Sequence, residues 1–155
     1  MGKDKIVIYF GFNNPLIYKR GVENVILSQS MALPENVKKY YLFFGEKDEE
    51  FFWNDIKCIS IKHDLFRFFK LNIFLNKLCR NAECVIHSHN YLMSFFLLKK
   101  TNIFTVHDGL FYLSSQTNHR LKNIFKFIEK AVYKKSKLVH FISKFTKEES
   151  LYNKD

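Results

Sequence analysis

Two histidines stand two residues apart in Val85-Ile86-His87-Ser88-His89-Asn90, and a third opens a turn in Thr105-Val106-His107-Asp108-Gly109. Each nitrogen of a neutral imidazole can take part in a hydrogen bond, and the ring titrates near neutral pH. At a strand end His107 can bond a sugar or phosphate oxygen and move a proton, while Asp108 can orient it or bind a hydroxyl. The bland alternative is a capping turn. His87 and His89, two apart on a strand, share a face. They could start a metal site, but no third and fourth ligand follow at a suitable spacing, so no metal is expected. A polar cleft edge or a satisfied core histidine is the plainer role. No Ser or Cys sits in a nucleophile-elbow context, so no acyl-transfer triad is present in the sequence.

Two further groups suit anions. Arg20-Gly21 precedes a predicted helix whose first N–H groups favour a phosphate, and Arg20 could add a bidentate contact. The alternative is a turn glycine beside a solvated arginine. No GxGxxG is present, so a dinucleotide fingerprint is absent. Lys122, Lys126, Lys130 and Lys134 recur every four residues. Between Arg120 and Lys147 there are nine basic residues against the single acid Glu129. Like charges so spaced repel, which suits an anionic surface as partner; a solvated face is the alternative. No recognised nucleic-acid motif accompanies the charge.

These residues need elements to position them. Strands are predicted at Ile6–Phe10, Tyr40–Phe44, Cys58–Ile61, Cys84–Ser88, Ile103–Val106 and Leu138–Ile142. Helices are predicted at Gly21–Leu33, from an Asp64 cap to about Arg80, at Tyr91–Lys99 and at Thr117–Lys135. A last helix is capped by Ser143 or Thr146. Residues 45–50 read as an acidic solvated turn. In the second helix Leu65, Phe68, Phe69, Leu71, Phe74, Leu75 and Leu78 are expected to face inwards. In the fourth, Leu121, Ile124, Phe125, Ile128, Ala131 and Val132 form the apolar stripe. The alternation predicts an α/β fold: a doubly wound, mostly parallel, Rossmann-like sheet flanked by helices, with Ile6–Phe10 in its interior. Such sheets bind ligands beyond the C-terminal strand ends, where all these polar residues fall.

Composition narrows the classes further. The chain has 155 residues, the size of one domain, with 47% hydrophobic residues, which argues against disorder. Five Gly and two Pro exclude collagen-like and low-complexity designs. Twenty-five basic against fifteen acidic residues give +10, pointing to an anionic partner. The apolar run Ile6–Phe10 is too short for a signal segment, and no stretch reaches the ~20 residues of a membrane span. Cys58, Cys79 and Cys84 cannot all pair, so buried thiols in a reducing cytoplasm are expected. Any membrane contact would be peripheral, on the inner face.

In order and spacing, several runs resemble the N-terminal domain of family 4 glycosyltransferases, the retaining enzymes of GT-B fold. They are Arg20-Gly21-Val22-Glu23, His87-Ser88-His89, Thr105-Val106-His107-Asp108, Glu129 on its helix and Val139-His140-Phe141-Ile142-Ser143. The resemblance covers nearly the whole chain. It implies that residues 1–155 form the acceptor-side half, one half of a GT-B fold. A second domain holding most of the donor would be missing or separately encoded, leaving this chain inactive alone. The intact enzyme would move a sugar from a nucleotide-diphosphate sugar to a glycan or lipid-linked acceptor, with retention and without a metal or other cofactor. The resemblance places Gly21, with Arg20, at the donor diphosphate and His107, with Asp108, at the reacting sugar. His87, His89, Asn90 and Ser143 would bind the acceptor. Some members dock to membranes through basic helices, a role open to the Lys122–Lys134 ridge. Arg20 stands where the family usually has a glycine. A different class is a non-catalytic basic module on anionic membrane or nucleic acid.

Overall fold

The computed structural model describes residues 3–18, 21–110, 115 and 120–152. The architecture is α/β, a mostly parallel seven-stranded sheet flanked by helices. The chain forms two compact units, Met1–His87 and Ser88–Asp155.

In the first unit the strand order is β3-β4-β2-β1-β5. β1 (Asp4–Phe10) lies inside, as expected, between β2 (Val37–Gly45) and β5 (Ala82–Ser88). Its apolar run without alternation follows from burial on both faces: Ile8, Tyr9 and Phe10 are all buried. β1 pairs in parallel with β2, Ile8 opposite Tyr40, and β2 with β4 (Ile56–Lys62), Leu42 opposite Ile59. α1 (Gly21–Met31) follows β1 and buries Ile26. Tyr9, Ile26, Tyr41, Phe43, Trp53, Ile56 and Cys58 make one core cluster.

One strand went unseen in the sequence. β3 (Glu49–Trp53) runs antiparallel to β4, Trp53 opposite Ile56. The residues read as a solvated turn therefore run into an edge strand, whose outer row of backbone groups tolerates Glu49 and Glu50. Asn54 closes the two-residue hairpin at φ 55°, a left-handed conformation that Asn adopts readily.

α2 (Arg67–Leu78) corrects the inward set. Only Leu71 and Leu75 are buried; Phe68, Phe74 and Leu78 are half-buried, and Leu65 and Phe69 are exposed. Nine apolar residues among the fourteen from Leu65 to Leu78 cover more of a helix than one packing face can take, and Leu65 lies before the helix begins. Asp64 acts one turn earlier than a helix cap, accepting from Phe66 N at 2.9 Å.

The cysteines also depart from expectation. Cys58 is a buried thiol, pushed up to about 12 by burial. Cys79, at the end of α2, and Cys84, in β5, instead form a disulfide, with Cα atoms 5.8 Å apart. The short α2–β5 connection brings them within bridging distance.

In the second unit α3 (Tyr91–Phe96) is capped by Asn90, whose side chain accepts from Met93 N at 3.1 Å. β6 (Ile103–Val106) pairs in parallel with β7 (Leu138–Phe141), Phe104 opposite Val139. α4 (Lys122–Lys135) packs Ile128, Val132 and Tyr133 against Tyr91, Phe104 and Val106. Leu121 and Ile124, expected on the buried stripe, are exposed, and residues 117–119 lie outside the described set. α5 (Lys144–Glu149) is capped by Ser143, which accepts from Thr146 N at 3.0 Å; Thr146 itself is buried. Among the described residues, no helix is long and apolar enough to cross a membrane.

Candidate functional site

The second unit holds five of the expected residues, His89, Asn90, His107, Asp108 and Ser143, each just after a strand. β6 is too short to reach past Val106, so His107 begins the turn that follows it. Its Nε2 lies 2.8 Å from His89 Nδ1, and the two rings are 5.1 Å apart at 34°. One nitrogen of that pair must carry the hydrogen, so each ring fixes the tautomer of the other. The His107 carbonyl accepts from the Thr146 hydroxyl at 3.3 Å, and Thr146 lies 2.9 Å from the Ser143 hydroxyl. Thus His89, His107 and Ser143, which sequence alone could only align at strand ends, share one hydrogen-bonded cluster. Asn90 begins α3 beside it.

Asp108 is exposed, and its backbone carbonyl accepts from Tyr91 OH at 3.1 Å. That hydroxyl lies 2.9 Å from Tyr133 OH, which donates to Glu129 Oε1 at 3.0 Å. Glu129 is fully buried and also accepts from Leu151 N at 2.7 Å. Each hydroxyl has one hydrogen, so Tyr91 bonds the Asp108 carbonyl, Tyr133 bonds Glu129, and the two hydroxyl oxygens lie in contact between them; Tyr91 anchors the His107-Asp108-Gly109 turn from beneath. Among the described residues, the side-chain hydrogen bond to the His107 ring comes from His89, and none comes from the Asp108 carboxylate. Of the two roles open to Asp108 in the sequence, orienting His107 or binding a hydroxyl, the contact with the ring is made by His89 instead. The equal histidine spacing held no signal for it, because the contact joins residues eighteen apart.

Burial holds the His107 imidazole below the ordinary value of 6.5; Asp108 opposes this shift and His140 adds to it. As pH falls, the unfolded chain takes a proton at this position before the folded chain does. The contribution of His107 is therefore fully favourable above the ordinary histidine range. It is lost as pH falls from there towards the depressed folded value. The melting temperature should drop between about pH 7.5 and pH 5.5, and His107→Gln should remove part of that drop. An identical drop in the Gln variant would assign it to other groups.

The first unit holds the remaining residues. Gly21 opens α1, and a Cβ there would meet nothing within 4 Å among the described residues. Arg20 lies outside the described residues. His87, the last residue but one of β5, is buried with its ring 5.6 Å from that of Tyr9, which is a core position. The β1–α1 loop is fixed from below by Tyr41. Its hydroxyl lies 2.9 Å from Asn13 O and 3.3 Å from Glu23 Oε1, sharing one hydrogen. Gly11 is required there, because a Cβ would overlap the Tyr41 ring.

Beyond the C-terminal ends of β1, β2 and β4 lies a cavity of about 910 Å³ that the sequence did not announce. Asn13, Asn14 and Tyr18 come from the β1–α1 loop, Phe44 and Glu46 from the end of β2, and His63 from beyond β4. Gly45 lets β2 pass Ser60, whose hydroxyl donates to Lys47 O at 2.8 Å. The lining residues are scattered over fifty positions, which is why no motif marks them.

On α4 Lys122, Lys126 and Lys134 are exposed and Lys130 is half-exposed. The same helix exposes Ile124 and Phe127, the latter 64% accessible. Among the described residues, no group of three or more His, Cys, Asp or Glu side chains has the arrangement of a metal site. Compared with known proteins, the chain matches no protein-family model, no curated protein and no solved structure.

Proposed function

We propose that this chain is the acceptor-side part of a retaining glycosyltransferase. The intact enzyme moves a sugar from a nucleotide-diphosphate sugar to an acceptor hydroxyl. The observation that carries this is the His89–His107 pair, 2.8 Å apart in the turn following a parallel strand. A half-buried neutral imidazole, its tautomer coupled to that of His89, suits hydrogen bonding to sugar hydroxyls beside a reacting carbon. Asp108 beside it is exposed and can meet a hydroxyl from the solvent side. Gly21, where an added Cβ would meet nothing within 4 Å among the described residues, and the α1 N-terminus support a diphosphate approach there. The test joins residues 1–155 to the donor-binding domain of a retaining transferase and follows sugar transfer from a panel of nucleotide sugars. Transfer that needs both parts supports the reading; a folded fusion that binds nucleotide sugar and never transfers it overturns the reading.

A second reading is favoured by the surface of α4. Exposed Leu121, Ile124 and Phe127 beside four lysines have the composition of a helix lying on an anionic lipid surface. Each lysine near such a surface contributes about 1 kcal/mol. Replacing Lys122, Lys126, Lys130 and Lys134 by Gln should then lower partitioning to phosphatidylserine vesicles by at least roughly a hundredfold. Unchanged partitioning returns the ridge to a solvated face. Salt-sensitive binding to oligonucleotides but not to vesicles would move the reading to nucleic acid.

A further inference from the structure

We infer that Cys79 and Cys84 are a thiol–disulfide exchange site, a reversible couple that reacts with glutathione and fixes or frees the end of α2. Cys79 directly follows α2, and Cys84 is the third residue of β5. Their Cα atoms lie 5.8 Å apart, within the span of a bridge. Access sets the class of reactant. Both cysteines are half-buried, and Arg80, Asn81 and Glu83 between them are exposed. A small hydrophilic disulfide can reach such a turn. Cys58 is the contrast within the same unit. It belongs to the core cluster with Tyr41 and Trp53, and burial pushes its thiol up to about 12. Almost none of it is thiolate near neutral pH, and the thiolate is the attacking form.

Whether a bridge is a staple or a couple depends on what the fold loses when it opens. Here the loss is small. The two cysteines are five positions apart, so the bond closes a very short loop and constrains the unfolded chain weakly. α2 is held by other means. Leu71 and Leu75, a turn or more before Cys79, are fully buried. The backbone N–H of Cys79 donates to Leu75 O at 2.9 Å, a helix-ending bond that needs no sulfur. Dithiol and disulfide are therefore compatible with one fold, which is the condition for cycling. What changes is the last turn of α2. With the bond closed it is tied to β5; with the bond open that tie is lost and the turn frays more readily.

The exchange balances atom for atom. A thiolate of the pair attacks a sulfur of glutathione disulfide and expels one glutathione thiolate. The second cysteine attacks the protein sulfur of the mixed disulfide and expels the other. The pair gives up two electrons and two protons, and glutathione disulfide becomes two molecules of reduced glutathione. This chemistry is independent of sugar transfer.

The test uses the chain as it is, without denaturant. The protein is treated with reduced glutathione at millimolar concentration, desalted, alkylated with iodoacetamide and mapped by mass spectrometry. Cys79 and Cys84 should open together and be alkylated, while Cys58 stays unmodified until urea is added. On protein left unalkylated, glutathione disulfide should restore the bond and leave no lasting adduct. The reduced form should melt cooperatively, at a temperature lower by less than roughly 8 °C. Its amide exchange from Leu78 to Asn81 should be roughly threefold faster or more than in the oxidised form. The double variant Cys79→Ser with Cys84→Ser should match the reduced parent at every glutathione ratio. Phenylarsine oxide, which bridges two neighbouring thiols, should bind the reduced parent and not that variant. The proposal is overturned if the bond resists glutathione until urea unfolds the chain, which makes it a staple. It is also overturned if the reduced chain loses its cooperative melt, or if glutathione disulfide leaves two separate adducts in place of the bond. Alkylation of Cys58 as early as the pair overturns it too, because exchange would then require an opened core.

Discussion

His107→Ala, in the protein joined to a donor-binding domain, should lower kcat by roughly 10²- to 10⁴-fold, the worth of one positioned proton-transfer or hydrogen-bonding group. The KM for the donor should move by less than about threefold, because the proposed role of the imidazole is at the reacting carbon and not at the nucleotide. The fold should survive. The His107 ring is only half-buried, and its ring hydrogen bond goes to another site residue, His89. The turn that carries it is held through backbone carbonyls, by Thr146 at His107 and by Tyr91 at Asp108. His89→Ala gives a useful comparison. It leaves the imidazole of His107 present but without the partner that sets its tautomer, so its loss should be smaller and its pH–rate profile displaced. Equal turnover of His107→Ala and parent removes His107 from the reaction. A collapsed melting curve makes it a structural histidine.

The strands that could be located from sequence were those with one physical signature. β1 was legible because a strand buried on both faces is apolar throughout, and Ile6 to Phe10 is such a run. β7 was legible as a short apolar run, whereas its cap stood between Ser143 and Thr146, and the structure gives it to Ser143. β3 was not, because Glu49-Glu50-Phe51-Phe52-Trp53 owes its pairing to the β4 edge rather than to its own pattern. Exposed Leu65 and Phe69 show the same limit from the other side. Hydrophobicity marks a helix, but the neighbours available decide which of its apolar residues are covered. The chemistry was legible as far as chain position carries it. His89 and His107 both fall after strands, and strand order brings them together. Which of His89 and Asp108 orients His107 depends on side-chain directions in a turn, and no local spacing encodes those. The cavity of the first unit was invisible because its walls come from three strand ends, each unremarkable alone.

The second large effect is expected at Glu129. This carboxylate is fully buried on α4, and two donors converge on one of its oxygens: Tyr133 OH at 3.0 Å and Leu151 N at 2.7 Å. A buried donor left without its acceptor costs ~1–3 kcal/mol, and a small cavity adds to that. Glu129→Ala should therefore destabilise the chain by about 3–5 kcal/mol, read as a lower urea midpoint at unchanged slope. Glu129→Gln keeps an acceptor oxygen at the same reach and should lose less than about half as much. The contrast separates hydrogen bonding from volume. Equal losses for Ala and Gln would mean that the charge, and not the acceptor geometry, holds the site. Tyr133→Phe removes the middle link and should cost ~1–2 kcal/mol while leaving Glu129 bonded to Leu151. Because Tyr133 lies 2.9 Å from Tyr91, and Tyr91 donates to Asp108 O, the loss should be felt at the His107-Asp108-Gly109 turn. Amide exchange at Asp108 and Gly109 should accelerate in Glu129→Ala and in Tyr133→Phe, and less in Glu129→Gln. Acceleration confined to residues 150–152 would show that Glu129 pins the end of the chain alone, with the turn held by Thr146 and Tyr91 on their own account.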